Sequence, residues 1–170
     1  MIAPEYCRTM ARYNQWINDR LYTVCAELPD AERRRDRGAF FGSMHRTLNH
    51  LLWGDRAWLA RLTARPYAEA AFGADLIDDF ATLRSERAIT DGALLEWAGT
   101  VTAAQLASPL TYRSSVDGRT RRLSIGVAAV HMFNHGTHHR GQLTTLLKQA
   151  GVDSGPTDLP WVPGLVEIVG

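Results

Sequence analysis

The chain has 170 residues, 45% of them hydrophobic and 22% charged, and its 19 basic and 18 acidic side chains leave a net charge of +1. That composition fits one globular domain and excludes a disordered or fibrous chain. The near-balance of charge also argues against a dedicated nucleic-acid or anionic-membrane binder, which would carry a visible basic excess.

No apolar run reaches the roughly 18–20 residues of a bilayer span. The opening MIAPEYCRTMARYNQW lacks the apolar stretch of a secretion signal, so a cytoplasmic protein is expected. Periodicity predicts helices through most of the chain. Residues 4–28 place Met10, Tyr13, Ile17, Leu21, Val24 and Leu28 at helical spacing, with Pro4 suited to the first turn and Pro29 to the stop. Cys7 and Cys25 on that helix would lie roughly 27 Å apart along its axis, too far to pair. DAERRRDR, residues 30–37, interleaves acids with arginines and reads as a solvated connector, not a nucleic-acid patch.

A second helix is predicted over 43–63, capped by Ser43, with Met44, Leu48, Leu51, Leu52, Leu59 and Leu62 on one face. Pro66 and AEAAFGA mark a loop. A third helix spans 76–104 with Phe80, Leu83, Leu94, Leu95 and Val101, although Gly92 and Gly99 each cost about 1 kcal/mol relative to alanine. Residues 109–123 turn polar, and Asp117-Gly118 is a dipeptide favoured by the type I′ turn of a β-hairpin. Ser124 then caps a fourth helix ending near Ala150, with Gly151 just beyond its C-terminus. The tail, with Pro156, Pro160 and Pro163, is expected to wrap the surface and end in a short turn. The expected fold is all-α: an antiparallel four-helix bundle with a short β-hairpin inserted before the last long helix.

The chemistry concentrates in that last helix. Six histidines occur in the chain, and four fall within residues 131–139. On a helical wheel Ala129, Met132, Gly136, Leu146 and Leu147 lie within about 60° of Leu143 and mark the buried stripe. His139 sits about 40° from its centre and His135 about 80°, whereas His131 and His138 fall roughly 120° and 140° away. A single core-facing histidine is usually a hydrogen-bonded filler. Two at i and i+4 must both find partners in a dry interior, and one divalent ion satisfies both. A third ligand is open among His45, His50 and Asp55. His50 lies away from Leu48, Leu52 and Leu59, which predicts an exposed ring, yet Ser43, Thr47, Gly54 and Ala57 around it leave room for something bulky.

The segments FGSMHRTLNHLLWGDRAWLARL (residues 41–62) and HMFNHGTHHRGQLTTLLKQAG (residues 131–151) closely resemble the two signature segments of the DinB family, within the DinB/YfiT-like superfamily of metalloenzymes. Tyr13-Asn14-Gln15-Trp16 with Asn18, and GVDSGPTDLPWV in the tail, fit the same family, so the resemblance runs nearly end to end. It implies a four-helix bundle in which His50, His135 and His139 hold a divalent metal. Three imidazoles leave open coordination positions, as catalytic sites do, where water or a thiol becomes activated. Zinc and nickel suit such a donor set best.

Asp55 is a candidate to orient a ligand imidazole, Gln142 to hydrogen-bond into the pocket, and Arg140 to hold an anionic substrate group. Asn14 and Trp16 are candidate pocket residues, with Tyr13 beside them. The expected function is that of a metal-dependent enzyme acting on a small molecule. Most directly it is a transferase using a low-molecular-weight thiol; the alternatives are a small-molecule hydrolase and a non-catalytic metal-binding stress-response protein. The hairpin and tail are expected to shape the entrance, and a homodimer suits a chain of this size.

Overall fold

In the computed structural model, which describes residues 2–67 and 76–167, Pro4 opens α1 (Pro4–Ala26). Proline is at home in a first turn because its missing N–H would have no helical acceptor there. Cys7, Ala11, Asn14, Ile17, Leu21 and Cys25 form the buried face of α1, and both cysteines are free.

The connector expected to be merely solvated contains a short helix, α2 (Asp30–Arg34). Its arginines explain why. Arg33 donates to the carbonyls of Cys25 and Leu28 at the end of α1 and lies over the Phe80 ring, while Arg34 pairs with Asp30 and Asp78.

Ser43 caps α3 (Met44–Leu62), its Oγ accepting from the Arg46 N–H at 3.2 Å. The loop expected at AEAAFGA, residues 68–74, lies outside the described residues. The third long helix, α4 (Phe80–Thr100), starts later than the hydrophobic pattern predicts because Asp79 caps it, accepting from Thr82 N–H and Oγ1 at 2.7 Å each. It also ends earlier. Val101 turns extended, and a reciprocal cap between Thr102 and Gln105 begins a separate helix, α5 (Ala103–Ala107).

The hairpin is present as β1 (Pro109–Arg113) and β2 (Thr120–Ser124), antiparallel with Pro109 opposite Ser124 and Arg113 opposite Thr120. Its turn is not type I′. Residues 114–119 make a longer loop in which Gly118 has φ +67° while Asp117 does not enter the left-handed region that turn requires. Asp117 instead accepts from the Arg119 N–H and both terminal nitrogens of Arg121. Ser124 caps α6 (Ile125–Gln149), and Gly151 follows at φ +77°. The tail makes one 3-10 turn, Leu159–Trp161, and lies along α1: Arg12 donates to the carbonyl of Pro163, Tyr13 to Thr157 and Arg20 to Ser154.

The architecture is mostly helical with one small two-stranded sheet. α1 packs on α4 and α6, and α3 on α6 and α4. The apolar interior forms two clusters. One gathers Trp58, Leu94, Trp97, Met132 and Phe133; the other gathers Ile17, Leu21, Leu52, Leu83, Leu143 and Leu147.

Asp55, Arg87, Asp91 and Arg140 fall between the two clusters on their helices and, with Asn14 and Asn18, make a buried polar layer. Arg87 pairs with Asp55 at 2.8 Å and Asp91 at 2.9 Å, while Asn14 and Asn18 donate to the carboxylates. No described helix is long and apolar enough to cross a membrane.

Candidate metal centre

The packing of α3 on α6 brings His50 against His135 and His139, which stand one turn apart. The Nε2 atom of His50 lies 3.0 Å from that of His135 and 3.2 Å from that of His139. Imidazole nitrogens bound to one tetrahedral ion at about 2.0–2.1 Å stand about 3.3–3.4 Å apart, so the cluster is close to the spacing one cation demands. Ligand-capable nitrogens of all three lie within 4.8 Å of one another, and the three together can hold a metal ion.

The hydrogen-bonding state fits as well. His139 donates from Nδ1 to Gln142 Oε1 at 2.8 Å, leaving the Nε2 lone pair directed into the cluster. The Gln142 amide in turn donates to His138 Nε2 at 3.2 Å. Burial, reinforced by the neighbouring histidines, pushes His50 down to about 4 and His135 to about 3. Burial lowers His139 too, partly opposed by its bond to Gln142. All three rings are therefore neutral at pH 7, the state in which imidazole binds a metal. Replacing Gln142 with alanine is expected to weaken metal binding about 10–100-fold, read by competition with a chromophoric chelator, because it frees His139 to turn and to change tautomer.

His50 is 4% exposed, not solvent-facing as its distance from the leucine face predicts. Aromatic rings do the burying: Phe41 stacks on His50 at 4.0 Å and Trp53 at 5.5 Å, while Phe41 also meets His139 edge-on at 5.3 Å. The space left by small residues on α3 is used. A Cβ at Gly54 would stand 2.7 Å from His135 Cε1, so the imidazole occupies the place a side chain would take.

The histidines line a cavity of about 460 Å³. Phe40 and Phe41 form one wall, Trp53, Trp58 and Arg61 of α3 another, and Tyr112, residues 114–116 and Arg121 of the hairpin the rim. The hairpin thus shapes the entrance as expected. The tail does not, since its contacts run along α1.

Several candidates lie elsewhere. Asp55 accepts from Arg87 and Asn14, not from an imidazole. Arg140 is buried, donates to Asn14 Oδ1 at 2.5 Å and covers the Tyr13 ring, so it holds the polar layer together and does not face the cavity. Asn14 belongs to that layer, and Trp16 lines a separate cavity of about 380 Å³ between α1 and α4. His45 is buried and donates to the Ile77 carbonyl at 3.1 Å. His131, outside the buried stripe, lines the cavity and meets Trp58 at 4.8 Å.

Phe41, Trp53, Trp58, Arg61 and Tyr112 escaped the sequence reading. Trp53 follows His50 by three residues, a helical neighbour that could have been read; the hairpin residues carry no such local signal.

Comparison with known proteins identifies the family and the fold. The model of the DinB family matches residues 1–166. Protein DinB of Bacillus subtilis (strain 168) is 26% identical over 166 residues, covering 91% of each chain. The crystal structure of a DinB-like protein from Bacillus cereus ATCC 10987 superposes with a TM-score of 0.61 at 18% identity, covering 88% of this chain and 91% of that one, a likeness of fold.

Proposed function

The chain belongs to the DinB family, and from that premise we propose that it is a divalent-metal-dependent enzyme that joins a low-molecular-weight thiol to a small-molecule acceptor. His50, His135 and His139 are its metal ligands, and the four long helices form a single four-helix-bundle domain. The observation that carries the reading is the opening of the three-imidazole cluster onto the aromatic cavity. A purely structural site would enclose its ion with a fourth protein donor, whereas the group found among the described residues comprises these three rings. About 460 Å³ accommodates two small reactants side by side, which favours transfer over simple hydrolysis.

A divalent zinc or nickel ion, when bound, supplies Lewis acidity that makes a thiolate or hydroxide available near neutral pH. The protein's own part is positional. Gln142 keeps the His139 proton on Nδ1, Gly54 seats the His135 ring, and Phe41 with Trp53 shields His50 from water. Neutral rings at pH 7 require no proton to be displaced before an ion enters.

The test has two stages. Protein purified without a histidine tag is expected to contain close to one equivalent of divalent metal, and His50→Ala and His135→Ala to lose it. The native chain is then expected to turn over at least one thiol and electrophile pair from a panel, with activity abolished by chelation. Sub-stoichiometric metal unchanged in both variants would sink the metal site. Stoichiometric metal without chelator-sensitive turnover would leave a non-catalytic metal binder in place of a transferase.

A further inference from the structure

We infer that the acceptor substrate of the histidine cavity is an elongated, largely apolar molecule. Its reactive end lies toward the histidines, its body along the aromatic wall, and its outer end against Phe40 and Val116 at the mouth. This rests on the cavity being the substrate site of the proposed reaction, but not on the thiol or on the presence of the metal.

Phe40 and Val116, each 74% exposed, are the two most exposed large apolar side chains among the described residues. Scattered singly, such residues need no explanation. These two come from distant parts of the chain, the turn before α3 and the loop of the hairpin, yet both line the cavity that holds the histidines. Neither sits on an unsupported loop. At Phe40 the Gly42 N–H closes the turn by donating to the Ala39 carbonyl at 2.8 Å, and the Arg37 N–H donates to the Gly42 carbonyl at 2.9 Å. The Phe40 ring also meets Phe41 edge-on, with centres 4.8 Å apart. At Val116 the backbone N–H donates to Ser114 Oγ at 3.2 Å, and the Gly118 N–H donates to the Ser114 carbonyl at 2.9 Å. Two apolar groups are thus held in water at fixed places around one opening.

The lining remains aromatic inward of them. Trp58 meets Tyr112 edge-on at 5.1 Å, and Phe41 and Trp53 continue the wall to His50, on which both rings stack. A concave site of about 460 Å³ suits a small molecule, not a folded partner. A compact polar substrate at the histidines would leave Phe40 and Val116 in water. A substrate long enough to reach them removes their apolar surface from water together with its own, and the gain grows with the area covered.

The test uses the full chain stripped of metal by chelation, with binding followed by calorimetry. The probes are the primary alcohols butanol, hexanol, octanol and decanol, which are neutral and differ only in apolar length. Affinity is expected to rise about threefold with each added methylene. Phe40→Ser and Val116→Ser, both at exposed positions, should leave butanol affinity within about twofold while removing most of the gain from the longest members. Ile89→Ser is the control: Ile89 is 65% exposed but lines a separate cavity between α3 and α4, and its replacement should change nothing.

Affinity that does not rise with length in the native chain would overturn the proposal. Should the two rim variants then dissociate a dimer in sedimentation, the rim is an interface between copies. A rise undiminished in both rim variants, or lost in Ile89→Ser, would overturn it as well, because the alcohols would be binding elsewhere. The alcohol series is read on metal-free protein and the metal analysis on protein as purified, so the two readings fall separately.

Discussion

Replacing Gly54 with alanine is expected to abolish tight metal binding while leaving the protein folded. The added methyl would lie 2.7 Å from His135 Cε1 and 3.1 Å from its Nδ1, closer than packed carbon atoms approach. Both elements are long helices packed directly against each other, so the backbone has little freedom to yield. The imidazole is the movable part and must leave the cluster. Losing one of three donors should weaken metal affinity by at least about 100-fold, beyond the effect of disturbing an outer partner.

Stability should move the other way or not at all, because alanine in a helix interior is favoured over glycine by about 1 kcal/mol. Paired measurements decide: competition with a chromophoric chelator for the metal, and thermal unfolding of the metal-free protein. A variant that binds metal as the native chain does would show that His135 is not held by this contact.

Arg87→Ala is expected to be the most destabilising single change outside the metal cluster. Arg87 is fully buried between Asp55 and Asp91, and no apolar residue could take over its charge. Removing it strands two carboxylates in one low-dielectric layer, where breaking a buried pair costs about 3–5 kcal/mol. For a chain of this size the unfolding midpoint should fall by roughly 10 °C.

The loss should depend on pH in a definite sense. Burial already pushes Asp91 up to about 6 even with Arg87 beside it. A carboxyl whose folded pKa lies above its unfolded value is tolerated best when protonated. Arg87 lowers Asp91, so its removal raises that carboxyl further, and the deficit of Arg87→Ala should be smallest below pH 6 and grow as the pH rises above it. Combining Arg87→Met with Asp55→Asn and Asp91→Asn should recover most of the midpoint, since a neutral layer has no stranded charge. A midpoint that stays low in that triple variant would mean the arginine contributes chiefly by packing.

The metal centre and the polar layer were unequally legible. His135 and His139 are four residues apart on a helix whose leucines mark its inner face, and local geometry was enough to pair them. His50 misled the same arithmetic. It lies off the leucine face of α3 and was expected in solvent, yet Phe41 and Trp53 cover it from positions a helical wheel does not weigh; only the likeness to known signature segments pointed to it. Asp55, Arg140 and Asn14 were expected around the metal pocket, and they meet instead in the buried polar layer. They were assigned to the wrong compartment, because a wheel reports which way a side chain faces and not what waits there.

Capping chemistry explains the errors of boundary. Asp79 and Thr102 each offer a side-chain acceptor to an unpaired backbone N–H, and this local gain outweighed the continuous hydrophobic pattern across 76–104. At the hairpin, the pairing of Asp117 with Arg121 accompanies a six-residue loop in place of the two-residue turn.

By itself the sequence determined the four long helices, the hairpin and the histidine ladder, since periodicity, caps and i,i+4 spacing act within a few residues of one another. Only the tertiary structure decided which third imidazole closes the cluster, and which polar residues face a cavity and which face one another. Those outcomes depend on contacts between residues 28–126 positions apart, from Asn49 against Ile77 to Arg140 against Asn14. Such contacts are fixed when helices pack, and no local pattern encodes them.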